Sequence, residues 1–113
     1  TCALPICSNM ELIKNDGTQF IWAGDLAKIY AAVLESDVDR KTYFALGTTF
    51  SSWESIASQA ISMAGSRSRI LLEDRGYGDV PYLFDVTPLQ RDFGLSFDAD
   101  DKITDHISYL ARQ

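Results

Sequence analysis

Basic side chains, histidine and cysteine are all scarce in this sequence. Its 113 residues hold ten Lys or Arg against sixteen Asp or Glu, one His and two Cys, and the net charge is −6. A chain so acidic, without a basic cluster, lacks the surface that binds nucleic acid by releasing counterions. No apolar run approaches the roughly 18 residues that a membrane span requires. We therefore expect a cytoplasmic protein with neither a nucleic-acid partner nor a membrane partner.

The two cysteines, Cys2 and Cys7, are too few for a disulfide framework. The four residues between them permit one bridge, but this spacing alone is no zinc signature. Two reduced thiols are the favoured interpretation. The first residues show neither an initiator methionine nor the pattern of a signal peptide, so we expect the chain to begin inside a longer protein.

Familiar catalytic motifs are absent as well. The sequence has no G-x-G-x-x-G, P-loop, H-E-x-x-H or G-x-S-x-G, and no Tyr is followed four residues later by Lys. His106 has no nucleophile or orienting group beside it in the sequence, so a surface histidine is preferred to a catalytic base. Asp98, Asp100 and Asp101 lack the Gly and distal Glu of a calcium loop and suit the start of a helix. We expect no catalytic residue and no metal site in this chain.

Hydrophobic residues make up 46% of the chain and aromatic residues 12%, which is enough for one small domain over residues 1–113. Strand and helix patterns alternate along it, so the predicted class is α/β, with a small mixed sheet and about four helices. The predicted strands are 10–14 and 19–23, joined as a hairpin by the Asp-Gly turn, then 42–46 and 69–73. The predicted helices are 26–35, the segment from Ser51 to Gly65, 88–93, and a last helix after 98–101.

Residues at the helix ends and on the helix faces refine this prediction. The expected starts are an Asp25 cap, a capping box of Ser51 with Glu54, and Thr87 before a first-turn proline. Gly65 and Gly94 are expected as left-handed ends. The residues expected to pack inside include both tryptophans and one face of the first and last helices: Trp22, Trp53, Leu26, Ile29, Tyr30, Val33, Leu34, Ile103, Ile107 and Leu110.

The glycine-rich stretch 74–79 is predicted to be a loop and holds the candidate binding residues Arg75, Tyr77 and Asp79. The fork of Arg75 suits phosphate oxygens, the glycines let a ligand approach the backbone, and Tyr77 can stack on a base. A solvated surface loop explains the same residues, and from the residue types alone it is the favoured interpretation.

Five segments, taken in order, resemble the extended short-chain dehydrogenases/reductases, the NAD-dependent epimerase/dehydratase family. Phe20–Ala27 is similar to the family's strand-to-helix junction, Tyr43–Gly47 to its following strand, and Ser52–Ala57 to its "s-w-x-e-i-a" helix. The stretch from Arg75 to Leu95 is similar to its "R-x-G-D … D … L-G" run, and Ile107–Leu110 to its closing helix. The resemblance covers residues 10–112 and implies the C-terminal, substrate-binding lobe, without the Rossmann domain.

The resemblance also implies roles for individual residues. Arg75 matches the arginine that binds the substrate diphosphate, and Asp79 matches the acid that holds the loop or a ribose hydroxyl. Thr18 stands where many nucleotide-sugar enzymes have a second phosphate-binding arginine, which leaves room for another polar substrate. Asp25 is interpreted as a structural residue, because a role as a helix cap accounts for it.

The expected function is the substrate-binding portion of a nucleotide-sugar epimerase, dehydratase or reductase. The missing Rossmann domain is the expected natural partner and carries the NAD or NADP, so the isolated chain is expected to be inactive. The alternative is a noncatalytic α/β module that binds a partner protein. A hydrolase is disfavoured because no nucleophile–base pair is present.

Overall fold

Short strands and four helices alternate along residues 9–112, the part of the chain that the structure, a computed structural model, describes. Cys2 and Cys7 lie outside the described residues. The elements, in chain order, are β1 (Met10–Ile13), β2 (Gly17–Gln19), α1 (Ala23–Leu34), β3 (Phe50–Ser52), α2 (Trp53–Ala64), β4 (Ile70–Glu73), α3 (Thr87–Phe93) and α4 (Asp100–Ala111). This order confirms the predicted mixed α/β class with four helices and little sheet.

The strands form two separate pairs. β1 runs parallel to β4, with Met10 opposite Ile70, and β2 runs antiparallel to β3, with Thr18 opposite Ser51. The predicted hairpin between the first two strands is therefore wrong, although the chain does turn there, with Asn15 at a φ of 64°. The turn residues fix the local bend, whereas the partner of each strand is chosen by contacts distant in sequence.

The predicted strand 42–46 is also wrong, because no strand lies between α1 and β3. Its aromatic residues make ring contacts in place of a hydrogen-bonded ladder. Tyr43 packs against Phe93 with 5.2 Å between ring centroids, and Phe44 against Phe84 with 5.0 Å. Aromatic residues are enriched in strands because they pack well on a half-buried surface, and here an extended coil supplies that surface.

The helix starts differ from the prediction by one to three residues. Trp22 is the N-cap of α1 and has no side-chain cap bond, so Asp25 is the third helical residue and pairs instead with Lys28 at 3.4 Å. The N-cap of α2 is Ser52, whose Oγ accepts the Ser55 N–H at 3.1 Å. The predicted capping box on Ser51 and Glu54 is wrong, because the helix begins one residue later and the Ser52 hydroxyl caps it.

The glycines predicted the helix C-termini correctly, whereas the predicted cap at Thr87 is displaced by one residue. Val86 rather than Thr87 is the N-cap of α3, and the Asp85 carboxylate accepts the Thr87 N–H at 2.9 Å. Gly65 and Gly94 end α2 and α3 with φ of 62° and 67°, as predicted. Glycine adopts this left-handed conformation without the steric cost that a Cβ brings.

The core is small, and α2 connects several elements, because it packs against α4 and contacts β1, β3 and β4. The buried apolar residues among 9–112 are Ile29, Ala57, Leu89 and Ala99. Several residues expected inside are exposed instead, namely Trp22, Trp53, Tyr30, Leu34 and Leu110. Tyr30, Leu34 and Leu110 have the predicted helical spacing, but the side of each helix that they occupy stays exposed. The tryptophan rings are covered only in part, Trp22 by Lys102 and Trp53 by Phe20. None of the helices within 9–112 has the length and apolar character to cross a membrane.

Candidate functional site

The predicted binding loop follows β4 directly and begins with a local turn. The Asp74 carboxylate accepts the Gly76 N–H at 2.8 Å, and Gly76 has a φ of 85°. A side chain at this φ is strained, so glycine suits the bend that turns the chain away from the strand. The bend separates Arg75, beside the strand pair, from Tyr77 and Asp79 further along the loop.

Asn15, in the turn between β1 and β2, holds the far end of this loop. Its Nδ2 donates to the Tyr77 carbonyl oxygen at 2.9 Å and to an Asp79 carboxylate oxygen at 3.2 Å. Two bonds from one amide fix both the backbone and a side chain of the loop. Asn15 was not singled out in the sequence, where Asn-Asp-Gly signals only a turn.

Arg75 lies beside the parallel strands rather than beside Asp79. Its guanidinium pairs with the Glu73 carboxylate at 3.1 Å, and both side chains are more than half exposed. The bond to Glu73 raises the pKa of Arg75 above its ordinary value, so the guanidinium stays charged. Together with Glu11, Leu12 and Leu71 it lines a shallow groove of about 520 Å³ along β1 and β4.

Asp79 lines a different cavity, a polar cleft of about 540 Å³ beside the starts of α2 and α4. The cleft is bordered by the loop residues Gly78, Asp79 and Pro81, by Asn15, and by residues of β3, α2 and α4: Phe50, Ser51, Ser52, Ser55, Ile56, Gln59, Asp100, Ile103 and Thr104. The structure therefore does not bring Arg75 and Asp79 into one pocket. Tyr77 lines neither cavity, and its ring is half-exposed.

Among the polar residues of the cleft, only Asp79 was predicted from the sequence as a binding residue. The serines at 51, 52 and 55 match the pattern of a helix start, and a helix cap accounts for them. Nothing else in the sequence marks them as lining a binding site. Gln59 and Thr104 lie 45 residues apart, and the Gln59 Nε2 donates to the Thr104 Oγ1 at 2.9 Å. Only the packing of α2 against α4 places these two side chains together.

The histidine and the two tryptophans considered in the sequence lie apart from the loop. His106 lies at the edge of an apolar groove of about 310 Å³ that both Trp22 and Trp53 line. Lys102 sits above the Trp22 ring, with its Nζ 4.3 Å from the ring centroid. Across residues 9–112, no three His, Cys, Asp or Glu side chains come together as a metal site.

Comparisons with known protein families, with curated proteins and with solved structures found no match to this chain.

Proposed function

We propose that this chain is the substrate-binding lobe of an NAD-dependent nucleotide-sugar epimerase or dehydratase, with Arg75 binding the substrate diphosphate. The observation that carries the proposal is the anchoring of the loop 75–79 by Asn15, at the rim of the polar cleft. Gly78, in the cleft wall, is the third residue after Arg75, a reach of at most about 10 Å even when the chain is extended. One substrate can therefore contact the cation and the cleft together.

The charge and exposure of Arg75 fit a diphosphate. Its ion pair with Glu73 is exposed, and exposed pairs of this kind contribute little to stability. A diphosphate carries more negative charge than one carboxylate and presents oxygens that match the guanidinium fork. Phosphate oxygens thus compete well for Arg75, which would exchange its bond to Glu73 for bonds to the ligand.

Tyr77 and Asp79 have supporting roles in this proposal. The Tyr77 carbonyl is fixed by Asn15 while its ring is half-exposed, an arrangement that suits stacking on a base at little further ordering cost. The Asp79 carboxylate holds the loop through Asn15 and borders the cleft, where a ribose hydroxyl can donate to it. Thr18 is paired in the strand ladder opposite Ser51, so the diphosphate relies on a single cation.

The pair of parallel strands supports the proposal that a second domain packs on this chain. Parallel strands normally belong to larger sheets that are covered on both faces. β1 and β4 form a sheet of only two, and Leu71 and Leu72 are exposed on it. A Rossmann domain is the partner proposed to cover these strands and to bring NAD or NADP.

In this proposal the cofactor belongs to the second domain. The full sequence lacks the glycine-rich phosphate loop and the Tyr-x-x-x-Lys pair, the motifs with which the resembled family holds the dinucleotide and transfers the hydride. The contribution of this lobe is to bind and orient the substrate, and binding energy used in this way lowers the barrier in the complete enzyme.

A noncatalytic protein-interaction module is the second candidate, and one observation favours it. Val80, Tyr82, Leu83 and Phe84 follow the loop as a run of exposed apolar side chains. Runs of this kind mark surfaces that bind another protein. Such a module would be indifferent to nucleotides, which separates the two candidates.

An amide-resolved NMR titration with UDP, UDP-glucose and dTDP-glucose tests the proposal. We expect saturable shifts at residues 75–79 that Arg75→Ala abolishes without changing the urea midpoint of unfolding. Arg67→Ala is the matched control, because Arg67 is an exposed arginine in the loop before β4. Absence of shifts at millimolar ligand removes the nucleotide-sugar assignment and favours the interaction module.

A further inference from the structure

The polar cleft beside the starts of α2 and α4 has an unusual charge balance. Its described lining contains the carboxylates of Asp79 and Asp100 and no Lys, Arg or His. A ligand carboxylate placed there would meet like charges with no cation to offset them. A neutral or positively charged ligand meets no such penalty.

The hydrogen-bonding groups of the cleft suit a ligand rich in hydroxyls. The Ser51 hydroxyl lies 3.4 Å from an Asp100 carboxylate oxygen, and the Thr104 hydroxyl accepts from Gln59. Each hydroxyl can still use a second donor or acceptor position, and an ionised carboxylate accepts several bonds. The cleft therefore offers both donors and acceptors, with the acceptors in excess.

Apolar side chains complete the lining. Phe50, Ile56, Pro81 and Ile103 border the same cavity as the hydroxyls and amides. Ligand pockets typically occupy about 300–1,000 Å³ and combine apolar walls with a few convergent polar groups. A pyranose ring has this mixed character, because C–H groups cover its faces while hydroxyls project from its edge.

We propose that this cleft binds the sugar ring of the substrate and selects a neutral or amino sugar over a uronate. The assignment of the sugar to a nucleotide-linked substrate rests on the proposed function, whereas the selection follows from the carboxylates in the cleft. Asp100 is the specificity-determining residue to test. Its charge lies in the cleft lining and is not part of the loop that Asn15 holds.

Titrations with free glucosamine, glucose and glucuronate, followed by amide shifts at residues 51, 55, 59 and 104, test the selection. We expect glucosamine to bind best and glucuronate least. Asp100→Asn should narrow the preference for glucosamine over glucuronate by about fivefold, the size expected for one charge at a partly exposed site. Asp101→Asn, in the same helical turn but outside the cleft, should change the preference by less than about twofold.

UDP in a parallel titration separates this inference from the proposed function. One outcome is that UDP shifts residues 75–79 while glucuronate binds as tightly as glucosamine. This outcome would overturn the proposed sugar selection and leave the proposed nucleotide-sugar function intact. If glucosamine binds in the cleft and UDP causes no shifts, the sugar site stands and the nucleotide-linked substrate is excluded. An absence of shifts with all three sugars would overturn the inference, as would an equal effect of the two Asp→Asn variants.

Discussion

The side chain of Gln19 joins three separate stretches of chain. Its Nε2 donates to the carbonyl oxygens of Gly47 at 3.0 Å and Phe84 at 3.2 Å, and its Oε1 accepts the Phe84 N–H at 2.8 Å. Only 3% of the residue is exposed. Buried polar groups of the backbone need partners, and here one amide serves three of them. Gln19 thereby connects β2 to the segments that precede β3 and α3.

We expect Gln19→Leu to lower the free energy of unfolding by about 1–3 kcal/mol, because it leaves these backbone groups buried without partners. The urea midpoint of unfolding measures the loss. Gln90→Leu makes the same chemical change at an exposed position of α3 and should shift the midpoint little. Equal shifts for the two variants would show that Gln19 is not the connection described here.

Sequence reasoning identified the loop residues but not the groups that organise them. Arg75, Tyr77 and Asp79 stood out because of their residue types and the glycines around them. Asn15 and Gln19 bond to segments more than 60 residues away, and nothing near either residue signals those contacts. Local patterns carry capping and turn chemistry, while the partner of a polar side chain is fixed by the tertiary fold.

At the scale of elements, Asp92 on α3 connects that helix to the extended segment 41–43. Its carboxylate accepts from the Tyr43 hydroxyl at 2.7 Å, from the Arg91 Nε at 3.0 Å and from the Lys41 Nζ at 3.4 Å. The bonds from Arg91 and Tyr43 hold the pKa of Asp92 well below its usual range. The same carboxylate raises the pKa of Tyr43. These contacts position the segment that the sequence predicted as a strand.

The lowered pKa of Asp92 makes the stability of this connection depend on pH. The stabilisation is fully present above the ordinary carboxyl pKa of about 4 and is lost as the pH falls through the lower folded value. We expect the free energy of unfolding of Asp92→Asn, measured by urea melts, to fall less steeply than that of the unmodified chain as the pH drops below about 4. Asp39→Asn is the control, because Asp39 is exposed and pairs only with Arg40 at 3.8 Å. A curve unchanged by Asp92→Asn would contradict the role assigned to the connection.

Element types were easier to predict than their boundaries and pairing. Apolar periodicity predicted three of the four helices, the Thr87-Pro88 pair predicted the third helix, and Gly65 and Gly94 marked the ends of two helices. Ser51 and Ser52 are chemically equivalent as caps and both pair with β2, so the residue types alone do not tell which of them caps α2. The parallel pairing of β1 with β4 joins residues 60 apart, a separation at which the sequence gives no register.

At the scale of the whole molecule, the core is small and many large apolar side chains are exposed. Four apolar residues within 9–112 are buried, while large ones such as Trp22, Trp53, Leu71, Leu72 and Tyr82 are exposed. A small domain with so little buried surface is marginally stable on its own. The exposed strands β1 and β4 and the run after the loop are the surfaces that a second domain would cover.

We therefore expect the isolated chain to unfold with low cooperativity. The dependence of unfolding free energy on urea scales with the surface buried, so its slope should lie at or below about 1 kcal/mol/M, the low end for small domains. Tryptophan fluorescence reports the groove beside α2 and α4, whereas far-UV circular dichroism reports all the helices. The two transitions should not coincide. Coincident transitions with a steep slope, from a monodisperse sample, would mean that this chain closes its own core and needs no second domain.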